Sequence, residues 1–401
     1  MIFLFVRQHQ KSIKHFCYIC GSIKKQILEI MKILFFITAL IVLFSINGLA
    51  WLRGWQVLPE GSIFRPIYLA TMVLLFATLF IGMTLDGYMP LKLAKVVTFI
   101  GYTYFIVLIY LLISFLLVDL VRVLNYLFHF APAGMEKFRL ITFLASLAIV
   151  FVLLVVGNYN FNHPKVVQYS LESNKPKQNK SIKIVVASDI HLGVSIDKER
   201  LKSYVDLINN QHPDMVLFAG DVSDRPMKPV KEQKMEEEFR QIKSKFGVFA
   251  INGNHELYAE KPNATASYLQ SAGINVLMDQ SFLVDSSLYV VGREDRSNLN
   301  RKSVSEITLG LDKKFPVIMM DHQPYHLEQV AKENIDLQVS GHTHSGQFFP
   351  VNLIVSRMYE LAHGYLKKEN SHFIVSSGLG IWGPQYRIGT QSEIVVIDFQ
   401  Y

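Results

Sequence analysis

Cysteine is almost absent from this chain: Cys17 and Cys20 are the two in 401 residues. That scarcity excludes a disulfide-stapled secreted scaffold. The pair forms a C-x-x-C with no second Cys or His pair at zinc-finger spacing, so it reads as two unpaired thiols in a basic leader. Charge is missing from four runs, roughly 33–51, 67–83, 96–118 and 140–157. Each is close to the ~20 apolar residues that cross a bilayer as a helix. The lack of ionisable groups inside them argues against an ion or proton pathway. Asp119 and Arg122 lie just past the third run, spaced to pair on one helix face. A basic excess is missing from the C-terminal half: residues 181–401 carry 23 Lys and Arg against 27 Asp and Glu, while residues 1–180 carry 17 against 6. The net +7 therefore belongs to the apolar half. Nucleic-acid binding, which needs basic residues clustered on the functional domain, is not expected.

The hydropathy divides the chain into a basic leader (1–31, untranslated if synthesis starts at Met31), a four-helix transmembrane anchor (32–159), a polar tether (160–180) and a mildly acidic C-terminal domain (181–401). No small-x-small cleavage site follows the first run and further spans come after it, so it reads as a retained helix rather than a signal peptide. Four spans put both termini on one side. Near the spans that side carries eleven Lys and Arg against five on the other, or six against five from Met31. The balance predicts cytoplasmic termini and a cytoplasmic C-terminal domain on a bacterial inner membrane.

From residue 181 the pattern changes to short β-branched runs alternating with amphipathic stretches, which predicts α/β layers. Strands are expected at 182–187, 215–219, 248–251, 287–291, 317–320, 337–339, 373–375 and 394–399. Five clusters sit at or just after such strands: Ser188-Asp189-Ile190-His191, Gly220-Asp221, Gly253-Asn254-His255-Glu256, Asp321-His322-Gln323-Pro324 and Gly341-His342-Thr343-His344. Their carboxylates, imidazoles and carboxamide suit Mn²⁺, Fe or Zn²⁺ rather than soft, thiolate-seeking metals. Strand ends at one rim of an α/β sheet let residues distant in sequence converge on a crevice. Gly220, Gly253 and Gly341 each precede a candidate ligand, where a turn without a Cβ would aim the next side chain inward.

In order and spacing these blocks resemble the calcineurin-like metallophosphoesterase superfamily, whose pattern is D-x-H, GD, GNH followed by D or E, H, and GHxH. The Gly341–Gln347 string and the closing 375–380 and 386–389 segments resemble its bacterial membrane-associated branch. The resemblance implies a four-layer α/β fold, a metallophosphoesterase β-sandwich flanked by helices, here preceded by about four transmembrane helices. It implies two divalent ions (Mn, Fe or Zn): Asp189, His191 and His344 hold one, Asn254, His322 and His342 the other, and Asp221 bridges them. His255 matches the histidine placed beside the scissile phosphate as proton donor or transition-state stabiliser. Two such ions roughly 3.5–4 Å apart clamp phosphoryl oxygens and turn a shared water into a nucleophile near neutral pH. Histidine must be neutral to bind metal, so activity is expected to fall below about pH 6.

Several residues keep two readings. Asp321 either orients His322 or is an exposed turn carboxylate; Glu256 and Asp224 either support the ligands or are surface charges. Arg387 either contacts substrate or makes a structural ion pair. His212, His326, His363 and His372 read as structural or solvent-exposed, and the mixed charges of 228–238 as a solvated helix face. The expected function is a membrane-anchored phosphodiesterase or pyrophosphatase. Its expected partners are the bilayer and a phosphoester substrate, lipid-linked in the manner of UDP-diacylglucosamine. The alternative is a non-catalytic membrane scaffold retaining the fold; it is disfavoured because every expected ligand position is filled.

Overall fold

The computed structural model describes residues 30–31, 33–34, 36–129, 135–224, 227–258 and 263–401. Cys17, Cys20 and the basic residues of the leader lie outside them. The four apolar runs form the helices α1 (Phe36–Val57), α2 (Phe64–Leu85), α3 (Leu91–Phe128) and α4 (Met135–Asn162). Pro66 falls in the first turn of α2, where its missing N–H costs nothing. Large apolar side chains point outward along these helices, among them Leu74 (70% exposed) and Phe151 (67%). Water would not tolerate such a surface, but acyl chains match it. The 38 residues of α3 rise about 57 Å, well beyond the ~30 Å of a bilayer core.

The chain forms two compact units: residues up to 72 together with 107–147, and residues 73–106 together with 148–401. In the first, Arg122 pairs with Asp119 at 3.0 Å across the i,i+3 spacing, and Arg53 of α1 bonds the same carboxylate.

The second unit is built on two six-stranded sheets. One has the order β1-β12-β2-β3-β4-β5, the other β10-β11-β9-β8-β7-β6. The strands are β1 (Lys165–Glu172), β2 (Ser181–Ala187), β3 (Met215–Phe218), β4 (Val248–Ala250), β5 (Asn275–Val276), β6 (Gln280–Val284), β7 (Leu288–Gly292), β8 (Val317–Met320), β9 (Leu337–Ser340), β10 (Gly364–Lys368), β11 (Ser371–Val375) and β12 (Glu393–Gln400). β2, β3, β4 and β5 run parallel, as do β7, β8, β9 and β11. β12 is antiparallel to β2.

Side-chain alternation makes the layers. Ile182, Ile184 and Val186 of β2 meet Leu288, Val290, Ile318 and Met320 in the core between the sheets. Val185 and Ala187 face the opposite way, onto Leu201, Tyr204, Val205 and Ile208 of helix α5 (Lys198–Asn209). On the far face of the second sheet, Val291, Val317 and Met319 pack on Leu327, Val330 and Ala331. The order is helix, sheet, sheet, helix, the four layers expected.

The segment expected as a tether is mostly ordered into this unit. α4 continues to Asn162, and β1 pairs in parallel with β12, with Leu171 buried in the inter-sheet core. Its inward residues Val167 and Tyr169 are only half-buried because β1 is an edge strand, with Gln168, Ser170 and Glu172 exposed on the other face. β5, β6 and β10 also lie outside the strands that the sequence pattern suggested.

Candidate metal centre

The five clusters converge at one rim. Loops leaving β2, β3 and β4 of one sheet bring Asp189, His191, Asp221, Asn254 and His255. Loops leaving β8 and β9 of the other bring His322, His342 and His344. The backbone there is unusual: Asp189 (φ 54°), His191 (54°), Asp221 (50°), His342 (71°) and His344 (48°) all occupy the left-handed region. Each such residue costs about 1–3 kcal/mol and persists only where its surroundings over-determine it. Here they do. Asp189 and His191 donate their amides to the carbonyls of Gly220 and Asp221, both at 3.0 Å, and the His342 amide donates to the Asp189 carboxylate at 3.0 Å.

The glycines act mainly through close approach. Gly220 sits at φ 87°, and a Cβ there would lie 2.6 Å from Nδ1 of His322. A Cβ at Gly253 would collide with the Asp221 carboxylate, and one at Gly341 with that of Asp189.

Two sets of donor atoms result: Asp189, His191 and His344, and Asp221, His322 and His342, each within 4.8 Å of one another. Oδ2 of Asp221 lies 3.2 Å from Nε2 of His322 and 3.8 Å from Nε2 of His191, so it stands between the sets. Nε2 of His191 and Nε2 of His344 face each other at 3.2 Å. Two imidazole nitrogens in that position require a proton or a cation between them. His322 donates from Nδ1 to the Ala219 carbonyl at 2.8 Å, which directs Nε2 into the site. That Nε2 and Oδ1 of Asn254 are both buried without a hydrogen-bond partner among the described residues. Orphaned donors of this kind, in a nitrogen and oxygen set, fit two divalent cations.

The electrostatics agree. Burial pushes the His191 imidazole down, and burial followed by the neighbouring His322 brings His342 to about 4. Burial brings His344 to about 3, against the pull of Asp189. All three are neutral at pH 7, the form that binds metal. Burial alone would raise Asp221, but the His322 charge outweighs it and holds this carboxylate well below its usual range. Burial opposes protonation of His322 too, yet Asp221 wins and raises it well above 6.5.

His255 is the second residue of the single helical turn Asn254–Leu257. Its amide donates to Oδ1 of Asp221 at 2.9 Å, and its Nδ1 meets Oδ1 of Asp224 at 2.8 Å. The ring stands edge-on to His191, with centroids 4.6 Å apart. Burial would lower its pKa, but the Asp224 hydrogen bond outweighs that and raises it. His191, Asp224 and His255 form a third close group that the sequence blocks did not suggest.

Residues with two readings are resolved, some in neither sense. Glu256 is buried and accepts hydrogen bonds from the amides of Asp221, Ser223 and Gly253 at 3.1, 2.9 and 2.7 Å. It staples two ligand loops together, and burial followed by Asp221 pushes its pKa up to about 7. Asp321 neither orients His322 nor lies exposed; it is buried and paired with Arg293 (3.0 Å) and Arg301 (3.2 Å). Arg387 is fully buried and makes no ion pair among the described residues; it donates to the carbonyls of His344, Gly378 and Gly380 at 3.1, 3.1 and 2.8 Å. His363 finds an acidic partner from a distant strand, Glu393, at 3.0 Å. Arg293, Arg301 and Asp295, which accepts from Gln323 at 2.9 Å, carried no signal in the sequence. None of the three lies in a ligand block.

Comparison with known proteins gives a consistent picture. The family profile for calcineurin-like phosphoesterases matches residues 182–346. An uncharacterised metallophosphoesterase of Campylobacter jejuni is 30% identical over 262 residues, 64% of this chain and 69% of that protein. A transmembrane protein with a metallophosphoesterase domain from Danio rerio is 29% identical, covering 63% of this chain and 61% of the relative. The uncharacterised metallophosphoesterase YkuE of Bacillus subtilis is 28% identical, covering 53% and 77%.

Proposed function

The chain belongs to the calcineurin-like phosphoesterase family of metal-dependent phosphoester hydrolases, and from that premise we propose that it is a membrane phosphodiesterase or pyrophosphatase acting on an amphipathic phosphoester at the bilayer surface. The observation that carries this reading is the pair of donor sets meeting at Asp221, with Oδ1 of Asn254 left without a hydrogen bond and Nε2 of His322 held only by Asp221. We assign Asp189, His191 and His344 to one divalent cation, Asn254, His322 and His342 to the other, and Asp221 to both. Such a pair supplies Lewis acidity toward the phosphoryl oxygens. The protein's own part is positioning. With Nδ1 committed to Asp224, His255 presents Nε2 toward the site, where it can hold a proton for the leaving oxygen.

Support for an amphipathic substrate comes from the surroundings of the site. Within its compact unit the catalytic domain rests on helix ends: Lys95 of α3 pairs with Asp197 at 2.6 Å, the Thr103 hydroxyl meets that of Tyr386 at 2.9 Å, and Arg387 donates its amide to Gly157 of α4 at 2.8 Å. The helix Val351–Met358, a few residues beyond His344, buries none of its side chains and exposes Leu353, Ile354 and Met358. Trp382 is 49% exposed, with its ring 6.1 Å from His255. An apolar rim beside a phosphate-handling centre suits a lipid-linked phosphoester, of which UDP-diacylglucosamine is one example. A cytoplasmic catalytic domain follows from the basic residues flanking the spans.

The test is a hydrolysis screen of the full-length, Mn²⁺-loaded protein. Cleavage of both bis-p-nitrophenyl phosphate and a lipid-linked phosphoester is expected. Cleavage of the first alone sinks the amphipathic substrate, and cleavage of neither by fully loaded protein returns the scaffold reading.

A further inference from the structure

Three arginines gather in the unit formed by residues up to 72 and 107–147, far in sequence from the ligand blocks. Arg53 of α1, Arg122 of α3 and Arg139 of α4 line one cleft together with Gln56, Phe115 and Phe143. Arg53 and Arg122 share the carboxylate of Asp119. The guanidinium of Arg139 makes no hydrogen bond or ion pair among the described residues; its Nε is buried, as is the unpartnered Nε of Arg53. Among the described residues three cations therefore face one anion.

The depth of the cleft matters. Arg53 precedes the end of α1 by four residues, Arg122 that of α3 by six, and Arg139 follows the start of α4 by four. At 1.5 Å per residue all three lie about 6–9 Å inside the helix ends, the level of lipid headgroups. A guanidinium held there without an acceptor is unfavourable, and its planar fork matches the oxygens of phosphate. The stacked rings of Phe115 and Phe143, with centroids 6.1 Å apart, add an apolar wall beside it.

We propose that this cleft between α1, α3 and α4 is a binding site for an anionic phosphate group, with Arg139 as its principal ligand and Arg53 and Arg122 as supporting charges. The group comes either from a phospholipid headgroup or from free phosphate.

Native mass spectrometry of the full-length protein in detergent separates these sources. With phosphatidylglycerol and phosphatidylcholine offered together, retention of the former by about fivefold or more is expected, the effect of roughly one well-placed basic residue. Arg139→Gln should abolish that preference and Arg139→Lys keep part of it. Lys137→Gln, removing an exposed charge two residues away, should leave it intact. If inorganic phosphate at about 10 mM raises the melting temperature of the wild type but not of Arg139→Gln, while no lipid preference exists, the ligand is soluble phosphate. Should Arg139→Gln fail to fold, Asp119→Asn serves instead: releasing two arginines must strengthen retention. Equal losses in Arg139→Gln and Lys137→Gln reveal diffuse surface attraction and overturn the proposal. So does the absence of both lipid preference and phosphate stabilisation.

Discussion

At the scale of single residues, His255 and Arg387 are expected to have different tasks. His255 leans on Asp224 through Nδ1 and stands edge-on to His191, so removing the imidazole should cost turnover without emptying the site. His255→Ala is expected to lower kcat by roughly 10²–10⁴-fold with two equivalents of metal retained, as read by steady-state kinetics beside elemental analysis. Asp221→Asn should instead lose metal, because its carboxylate stands between both sets. Arg387 is buried among three carbonyls, of which those of His344 and Gly378 also accept the amides of Gln347 and Glu393, while that of Gly380 takes Arg387. Arg387→Met should destabilise the domain by roughly 1–3 kcal/mol, since the Gly380 carbonyl loses its donor and one orphaned buried acceptor costs about that much; thermal unfolding will measure it. The sequence offered Arg387 as a substrate contact or an ion pair because a late arginine after a glycine-rich stretch suits either. Only the packing of 378–380 around it shows an internal clamp.

Whole elements carry the precision of the site. The loops after β3 and β4 are held together by Glu256, which takes three backbone amides on one carboxylate. Glu256→Ala would leave those amides unpaired and let the Asp221 and Asn254 loops separate, so weaker metal retention on dialysis is expected, with the strands themselves intact by circular dichroism. A steric counterpart lies at Gly220. Gly220→Ala forces a Cβ against His322 at a positive φ, whereas Gly193→Ala meets nothing closer than 3.7 Å and should be tolerated. Protons compete for the same element. The pKa of His322 is raised well above its ordinary value when the site is metal-free, so a cation must displace that proton. Apparent metal affinity should therefore weaken as pH falls, with activity lost below about pH 6; calorimetric titration at several pH values checks the sign.

For the molecule as a whole, the position of β1 alters where the catalytic domain begins. A fragment starting at 181 would lack β1 and bare the edge of β12, along which eight residues pair. Such an edge invites aggregation. A fragment starting at 164 should stay monomeric in size-exclusion chromatography and melt higher than one starting at 181. The polar alternation of Lys165–Glu172, with only Leu171 buried, gave no sequence signal strong enough to mark a strand. Its partner lies at the other end of the chain, and pairing of that range leaves no local pattern.

Composition and spacing alone determined the four spans, the α/β character of the C-terminal half and the residue types of the metal centre. Apolar length and ligand chemistry are local properties that survive in one dimension. The tertiary structure decided the rest: which strands close the sheets, that Glu256 and Arg387 are internal clamps, that Asp224 belongs to His255, and that five of the converging residues sit in left-handed backbone. Each of these depends on atoms brought together from distant loops, where burial and close approach, rather than sequence neighbours, set the energy.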